Sequence, residues 1–487
     1  MTPTNIFCVI PSTLAVGEEF SLNIKVLGDL RVIKSENFAW TPFMPKQASP
    51  FNYCVARKIK YLDNVLPEWK GKLVVDGGDA LEGDASVIFD GKDQGVFTGD
   101  KRPIRRFCGF RWKEPGFQFI KLTDPVSGIT VSSNPVYVSE TAPENRIVWG
   151  DPHWQTFFSD GIRCPEELYT FARDEAFLDF GAISDHMEAV TDRQWEYFKG
   201  VANDFNDPER FVTLLGMEWT HHQAGHRNIY YRGDNGPVFR SNDPEFNSLN
   251  KLWKGLDRFI KNPNDVVAIS HHTSNKEMGC DWSLGWNQKY EKAVEIYSAW
   301  GNSECHKDDG NSKPIKACQG EVKGQHVRDA LKSGYKMGFI GGGDIHDGRP
   351  GDCLAPFQPD VASYQDLYPQ GLTAASVSSL TRENVFDAIR DRNTYATTHR
   401  RIFMEVKNSN QNGKLKLNIK TASEDGIKDV KLILNGEEVQ TLYPNDNERV
   451  LIQEINIDKL NNSDYCYIQT NTADGDMAWS SPFFGEG

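Results

Sequence analysis

The chain has 487 residues, a formal charge of −14 and 39% hydrophobic residues, a composition typical of a globular protein with two to four domains. The acidic charge argues against nucleic acid as the main partner, because phosphate backbones are bound by basic surfaces, but it allows a small anionic substrate in a locally basic pocket. We recognise no signal peptide, no apolar stretch long enough to span a bilayer and no CxxC pair among the nine cysteines. We therefore expect a cytoplasmic protein without a membrane partner.

The two ends of the chain are predicted to be β-sandwich-like domains. In residues 1–143, short apolar runs such as FSLNIKVLGD and GITVSSNPVYVS are separated by Gly, Pro and Asp, a pattern typical of strands and turns. Residues 402–487 have the same character in KLKLNIKT and DVKLILNGEEV, where LNGEE indicates a hairpin turn.

The middle segment, residues 144–401, alternates strand-like runs with amphipathic helical stretches. The strand-like runs are RIVWGD, FGAISD, FVTLLGMEW, RNIYYRG, DVVAISHH, AVEIYSAW, MGFIGGGD and GLTAASVS. The helical stretches are PEELYTFARDEAF, DRQWEYFKGVANDF, SLNKLWKGLDRFIKN, HVRDALKSG and TRENVFDAIRDR. A repeated order of strand and helix predicts a parallel sheet or an α/β barrel.

Histidines and acids recur where these runs end. All eleven histidines lie between His153 and His399, inside the middle segment. A single histidine at a strand end is more often a hydrogen-bonded structural residue than a ligand, but five strand ends carry the same residue types here. In an α/β barrel such ends converge on one face, where imidazoles and carboxylates suit Zn, Mn or Fe.

Five of these motifs resemble the polymerase and histidinol phosphatase (PHP) superfamily of metal-dependent phosphoesterases. The motifs are DPHWQTFFSDG, AISDH, LLGME, AISHH and GDIH, in the family's order within residues 147–400. The arrangement is most similar to an uncharacterised branch in which the barrel carries β-rich flanks. The resemblance implies an α/β fold, a distorted (β/α)7 barrel between two β domains, with two or three divalent metal ions.

The resemblance also implies the metal ligands, with Glu218 as the carboxylate that bridges two ions. Asp185 would either bind a metal or orient a neighbouring imidazole. Gln155 stands where the family usually has a second histidine, so one site is weak or vacant, the glutamine changes metal choice or coordination, or the barrel is inactive. The implied ligands are His153, Gln155, Asp160, Asp185, His186, Glu218, His226, His271, Asp344 and His346.

Other residues of the segment could complete the chemistry. His222 or His272 would protonate a leaving alkoxide, although a hydrogen bond to a metal ligand or plain packing is equally compatible with their positions. Arg227 and Arg349 neighbour the implied ligands and could bind a phosphate in bidentate fashion, with an ordinary surface ion pair as the alternative. Glu295, in AVEIYSAW, is interpreted as a buried hydrogen-bonding residue near the site.

These features together predict a metal-dependent hydrolase that attacks a small phosphoester with a metal-activated water. An amidohydrolase-like enzyme acting on C–N or C–O bonds is one alternative, disfavoured because no lysine stands at the middle strand ends. A protein that binds a glycan or a partner through its β domains, with a vestigial barrel, is the alternative from another class. The substrate, the metal and the oligomeric state stay open.

Overall fold

Twelve strands near the N-terminus build three small sheets in the computed structural model, which describes residues 2–42, 54–95, 100–352, 367–411, 414–445 and 448–485. The strands are β1 (Asn5–Val9), β2 (Thr13–Ala15), β3 (Glu19–Pro42), β4 (Cys54–Val65), β5 (Gly71–Asp76), β6 (Leu81–Glu82), β7 (Ser86–Phe89), β8 (Ile104–Trp112), β9 (Gly116–Gln118), β10 (Lys121–Thr123), β11 (Thr130–Ser132) and β12 (Val136–Ser139). Their sheets have the orders β1-β3-β8-β6 with β4 beside β3, β11-β10-β5-β7, and β2-β12-β9.

Alternating side chains give these sheets one apolar face. In β5, Leu73 and Val75 are buried while Lys72 and Val74 point to solvent, as expected for a period of two residues. The buried side chains, with Trp112 and Leu122 among them, form one core. The β character predicted for this segment is confirmed.

Among the described residues of the middle segment there are eleven strands and five α-helices. In chain order they are β13 (Arg146–Trp154), α1 (Pro165–Asp174), β14 (Phe180–Ile183), α2 (Asp192–Asp204), β15 (Val212–Thr213), β16 (Leu215–Trp219), β17 (Arg227–Tyr231), α3 (Leu249–Phe259), β18 (Val266–Ser270), β19 (Glu291–Ser298), β20 (Gly301–Asn302), α4 (Val327–Lys332), β21 (Gly338–Gly341), β22 (Leu372–Val377), α5 (Arg382–Arg390) and β23 (Thr394–Thr397). Each of the five predicted helical stretches contains one of these helices.

Parallel and antiparallel pairs are mixed in this segment. Strands β13, β14 and β15 pair in parallel, as do β18, β19 and β21. Strand β17 is antiparallel to both β16 and β18, and β22 is antiparallel to β13. Residues 220–226 between β16 and β17 are too few for a parallel crossover, which needs about a dozen residues or more. The arrangement therefore departs from a regular strand-helix repeat.

Two isolated parallel bridges join the edges of these sheets. One connects His186, beyond β14, to Glu218 in β16, and the other connects Trp154 in β13 to Ile345, beyond β21. The contacts form a ring in the order β13, β14, β16, β17, β18, β19 and β21. The ring brings the ends of these strands to one place, where the candidate site lies.

The C-terminal strands continue a sheet of the middle segment. They are β24 (Phe403–Gln411), β25 (Lys414–Ala422), β26 (Ile427–Leu434), β27 (Glu437–Leu442), β28 (Val450–Asp458), β29 (Tyr465–Thr472), β30 (Met477–Ser480) and β31 (Phe483–Phe484). Strand β23 pairs with β30, so one ten-stranded sheet runs from β15 to β27, while β24, β25 and β28 form a separate sheet. The predicted hairpin turn is confirmed between β26 and β27, where Asn435 and Gly436 both have positive φ.

The predicted absence of a membrane-spanning segment and the predicted domain architecture can be compared with the structure. Within the ranges given above, no helix is long and apolar enough to cross a membrane. Strands outnumber helices throughout, so the chain is β-rich in its coarse architecture. The predicted domain boundaries at residues 143 and 401 stay a prediction.

Candidate metal centre

Imidazole and carboxylate side chains at the ends of several strands form one buried cluster. His153 ends β13, Glu218 lies near the end of β16 and His271 directly follows β18. All members are buried except Asp160, whose side chain is 25% exposed. The side chains that meet there are His153, Gln155, Asp160, His186, Glu218, His226, His271, His272, Asp344 and His346.

Glu218 is the centre of this cluster, because its two oxygens face different imidazoles. Its Oε1 lies 2.8 Å from Nδ1 of His226 and 3.3 Å from Nε2 of His271. Its Oε2 lies 3.2 Å from Nδ1 of His186 and 3.7 Å from Nε2 of His153. Burial alone would raise the pKa of Glu218, but these imidazoles, His186 and His271 first, hold it well below its ordinary value.

Among the described residues, four groups of three side chains have ligand atoms within 4.8 Å of one another, and three of the four groups share members. Ligand atoms around one tetrahedral zinc lie roughly 3.3–3.5 Å apart, since each is about 2.0–2.2 Å from the ion. The groups are Asp160, His186 and His346; His153, Glu218 and His271; His226, His271 and His272; and His153, Glu295 and Asp344.

Unpartnered atoms in the cluster show that these residues fit a metal. Both ring nitrogens of His271 and Oδ2 of Asp344 are buried without a hydrogen-bond partner among the described residues. Nδ1 of His226 lies close to Glu218 but outside hydrogen-bond geometry. A buried polar atom left unpaired costs about 1–3 kcal/mol, and a divalent cation held by nitrogen and oxygen ligands would remove that cost.

Two contacts around the cluster orient its imidazoles. Oε2 of Glu295 lies 3.0 Å from Nδ1 of His153, and Oγ1 of Thr220 lies 2.7 Å from Nδ1 of His186. Such contacts leave Nε2 of each ring for a metal. Burial would lower the pKa of His153, but Asp344 and Glu295 raise it well above its ordinary value. Glu295 therefore has the hydrogen-bonding position that its sequence context predicts.

The backbone is strained at two positions of the cluster. Asp344 has φ +47° and His272 has φ +33°, in the left-handed region that costs non-glycine residues of order 1–3 kcal/mol. In the run of glycines before Asp344, position 342 requires glycine because a Cβ on Gly342 would overlap the carboxylate of Glu295. Strain of this kind is commonly stored at functional sites.

Asp185 stabilises a loop and is outside the four ligand groups. Its Oδ1 accepts hydrogen bonds from the backbone N–H and the hydroxyl of Thr156, both at 3.0 Å, and from N–H and Oγ of Ser159. Burial raises the pKa of Asp185 to about 6. These bonds hold the loop that carries Asp160. Oδ2 of Asp185 is buried without a hydrogen-bond partner among the described residues, and its role as a metal ligand or an orienting group stays a prediction.

The two arginines are held in internal ion pairs. Nε of Arg227 lies 3.1 Å from Oε1 of Glu291, and its Nη1 donates to the carbonyls of Ala224 and Gly225. Arg349 pairs with Asp352, and both guanidinium groups are buried. Both arginines thus have internal partners, and a guanidinium buried against a carboxylate presents little surface to a phosphate. Their contact with a substrate stays a prediction. The pairs also differ from the surface ion pairs weighed as the alternative.

The two candidate proton donors occupy different positions. His222 is exposed, with Nδ1 3.3 Å from Nε2 of His226. His272 is buried in a ligand group with His226 and His271, and its Nε2 lies 3.9 Å from Oδ2 of Asp344. Partial desolvation of its ring by neighbouring groups, together with His186, lowers the pKa of His222 although the residue is exposed. Burial and the neighbouring imidazoles lower the pKa of His272.

Comparison with known proteins adds relatives of unknown activity. Residues 166–367 match the model of a family described as "Protein of unknown function (DUF3604)". The chain is 27% identical over 404 residues to an uncharacterised protein of Chlamydia pneumoniae and 26% identical over 403 residues to one of Chlamydia muridarum. Each alignment covers 77% of this chain and 62% of the relative, so the chain spans under two thirds of their length.

One solved structure, from Bacteroides vulgatus, is described as a two-domain protein containing a predicted PHP-like metal-dependent phosphoesterase. It is 14% identical to this chain, with a TM-score of 0.34. The alignment covers 69% of this chain and 94% of that one.

Proposed function

We propose that this chain is a metal-dependent hydrolase that cleaves a small phosphoester at the cluster around Glu218. The observation that carries the proposal is the concentration of buried imidazoles and carboxylates. Within it, Nδ1 of His271 has no hydrogen-bond partner among the described residues, and its Nε2 lies 3.3 Å from Oε1 of Glu218 but outside hydrogen-bond geometry. A purely structural polar network would be expected to satisfy its buried atoms. The substrate is small and anionic, the compartment cytoplasmic, and neither nucleic acid nor a membrane is the partner.

The ring of seven strands supports the same proposal. Strands β13, β14, β16, β17, β18, β19 and β21, with the two isolated bridges, are compatible with a distorted seven-stranded barrel. Active sites of α/β barrels lie where strands end, and the cluster lies at such ends. The antiparallel β17 is the main departure from a regular barrel.

The side chains of the cluster would have different roles around bound ions. Divalent ions at these groups would lower the pKa of a water and neutralise phosphate charge. Oγ1 of Thr220 at 2.7 Å and Oε2 of Glu218 at 3.2 Å lie on the Nδ1 side of His186, which keeps its Nε2 directed at Asp160 and His346. Asp160 is the partly exposed member, so its group is the one that a phosphate from solvent reaches first. The exposed His222 can exchange a proton with solvent, and we assign it the proton of the leaving alkoxide.

Metal content and turnover test this proposal together. We expect divalent transition metal in protein purified without added metal, and hydrolysis of a chromogenic phosphoester. Glu218→Gln and Asp344→Asn should each reduce kcat at least about 100-fold while the circular dichroism spectrum is unchanged. Glu196→Gln is the matched control, because that carboxylate is 67% exposed on α2.

Three outcomes would count against the proposal. Full activity in either cluster variant would remove Glu218 or Asp344 from the machinery. Bound metal with hydrolysis of amides or lactones and none of phosphoesters would favour the amidohydrolase alternative. Protein that takes up no Zn, Mn or Fe even after reconstitution would favour the binding-protein alternative.

A further inference from the structure

Gln155 reaches into the cluster as a hydrogen-bond donor. Its side chain is fully buried, and Nε2 lies 3.1 Å from Nε2 of His153, 3.2 Å from Oε2 of Glu218 and 3.4 Å from Oδ1 of Asp344. Two carboxylate oxygens and one imidazole nitrogen thus surround the amide nitrogen. Oxygen and nitrogen atoms of these types are the ligands that would bind a divalent cation at the same point.

The orientation of the amide follows from its surroundings. Its Oε1 is buried without a hydrogen-bond partner among the described residues. If the amide were turned over, Oε1 would face the carboxylates of Glu218 and Asp344, which is repulsive unless a cation lies between them. With the NH₂ group between them, both carboxylates receive a hydrogen bond from a group with partial positive charge.

The backbone fixes Gln155 in this position. Its N–H donates to the carbonyl of Ile345 at 3.1 Å, next to the bridge between Trp154 and Ile345. The residue is therefore tied to the segment that carries Asp344. The side chain at position 155 lies close to the centre of the cluster. A metal-binding side chain at this position would therefore occupy the place of the amide, between His153, Glu218 and Asp344.

We propose that the Gln155 amide takes the place of one metal ion, so that the cluster binds two ions and not three. One ion is held by Asp160, His186 and His346. The other is held by His226, His271 and His272 beside Oε1 of Glu218. The space between His153, Glu218 and Asp344 is filled by the amide. This inference rests on the proposed metal binding and adds the number of ions and the reason for it.

Metal stoichiometry measured on the full chain by elemental analysis tests the inference without any activity assay. After saturation with Zn²⁺ and desalting, we expect two ions per chain in the wild-type protein and three in Gln155→His, because the imidazole supplies the missing ligand. Gln288→His is the matched control, since Gln288 is exposed, and it should keep two. Should the histidine variant not fold, the nearly isosteric Gln155→Glu should also bind three ions, because a carboxylate ligand replaces the donor NH₂.

The outcomes separate this inference from the proposed function. Three ions in the wild-type protein, or two in a folded Gln155→His and Gln155→Glu, would overturn the inference while leaving a metal-dependent hydrolase intact. No ion in the wild-type protein after reconstitution would overturn the proposed function, and the inference with it.

Discussion

Glu295 acts on the candidate metal centre through one contact, the 3.0 Å approach of its Oε2 to Nδ1 of His153. The contact keeps the ring proton on Nδ1 and makes Nε2 a stronger ligand. In the wild-type protein Nε2 of His153 faces the amide of Gln155, so the effect is expected where His153 is a ligand. In the Gln155→His background, Glu295→Gln should weaken the third Zn²⁺ site about 10–100-fold, the usual effect of removing such a partner. Competition with a chromophoric chelator measures the affinity, and Glu196→Gln is the control. An unchanged affinity in the Glu295 variant would show that His153 does not depend on this contact for metal binding.

At the residue scale, the positions of the cluster were more predictable than its contacts. His153, Glu218 and His271 each follow or end an apolar strand run, a pattern visible in the sequence. The hydrogen bonds that commit Asp185 to a loop were not visible, because Thr156 and Ser159 lie more than twenty residues away in sequence. The donor role of the amide at position 155 depends likewise on His153 in β13, Glu218 in β16 and Asp344 after β21.

At the scale of elements, Arg382 joins three pieces of the middle segment. It begins α5, and its buried guanidinium donates to the carbonyl of Thr213 at 2.6 Å, to Oδ1 of Asn203 at 2.7 Å and to the carbonyl of Ala202 at 3.2 Å. Arg382→Ala would remove the donor to the buried carbonyl of Thr213 in β15 and the hydrogen bonds that tie α5 to the end of α2. We expect the free energy of unfolding to fall by about 2–4 kcal/mol.

Urea unfolding followed by circular dichroism measures this loss. Arg193→Ala is the matched control, because Arg193 is exposed on α2, and it should change the stability by less than about 0.5 kcal/mol. Equal midpoints for the two variants would mean that water or a neighbouring donor replaces the guanidinium without cost.

Local signals explain which elements were predictable. Thr191 caps α2 by accepting from the N–H of Gln194, and Thr381 caps α5 in the same way, so the helix starts can be predicted from a few residues. The pairing of β23 with β30 joins residues about eighty positions apart. Pairing over such distances depends on the whole fold, which is why the continuous ten-stranded sheet was not predicted.

At the scale of the whole molecule, the three parts of the chain meet around a polar cavity of about 590 Å³. Lys25, from the N-terminal sheets, is buried there with its Nζ 3.2 Å from Asp352. Arg449, from the C-terminal strands, donates to Oγ of Ser132 at 3.4 Å. Charged groups from all three parts thus line one cavity, so the protonation state of these groups affects how stably the three parts pack together.

Glu424 lines this cavity, and we expect its ionisation to change the free energy of unfolding. Burial raises its pKa from 4.5 to about 7, although the Arg400 guanidinium, 3.1 Å away, opposes that rise. The folded state holds the proton of Glu424 to higher pH than the unfolded state. The contribution of the protonated carboxyl to the free energy of unfolding is therefore fully present below about pH 4.5 and is lost as the pH rises through about 7.

Glu424→Gln cannot ionise and should remove this dependence. Relative to the wild-type protein, the variant should become more stable by about 1–3 kcal/mol as the pH is raised from 5 to 8. Urea unfolding at both pH values measures the change, with Glu437→Gln, whose side chain is 77% exposed, as the control. If the difference between variant and wild type is the same at pH 5 and pH 8, the carboxyl of Glu424 is already ionised in the folded protein. Its pair with Arg400, and not its burial, would then govern the junction between the three parts of the chain.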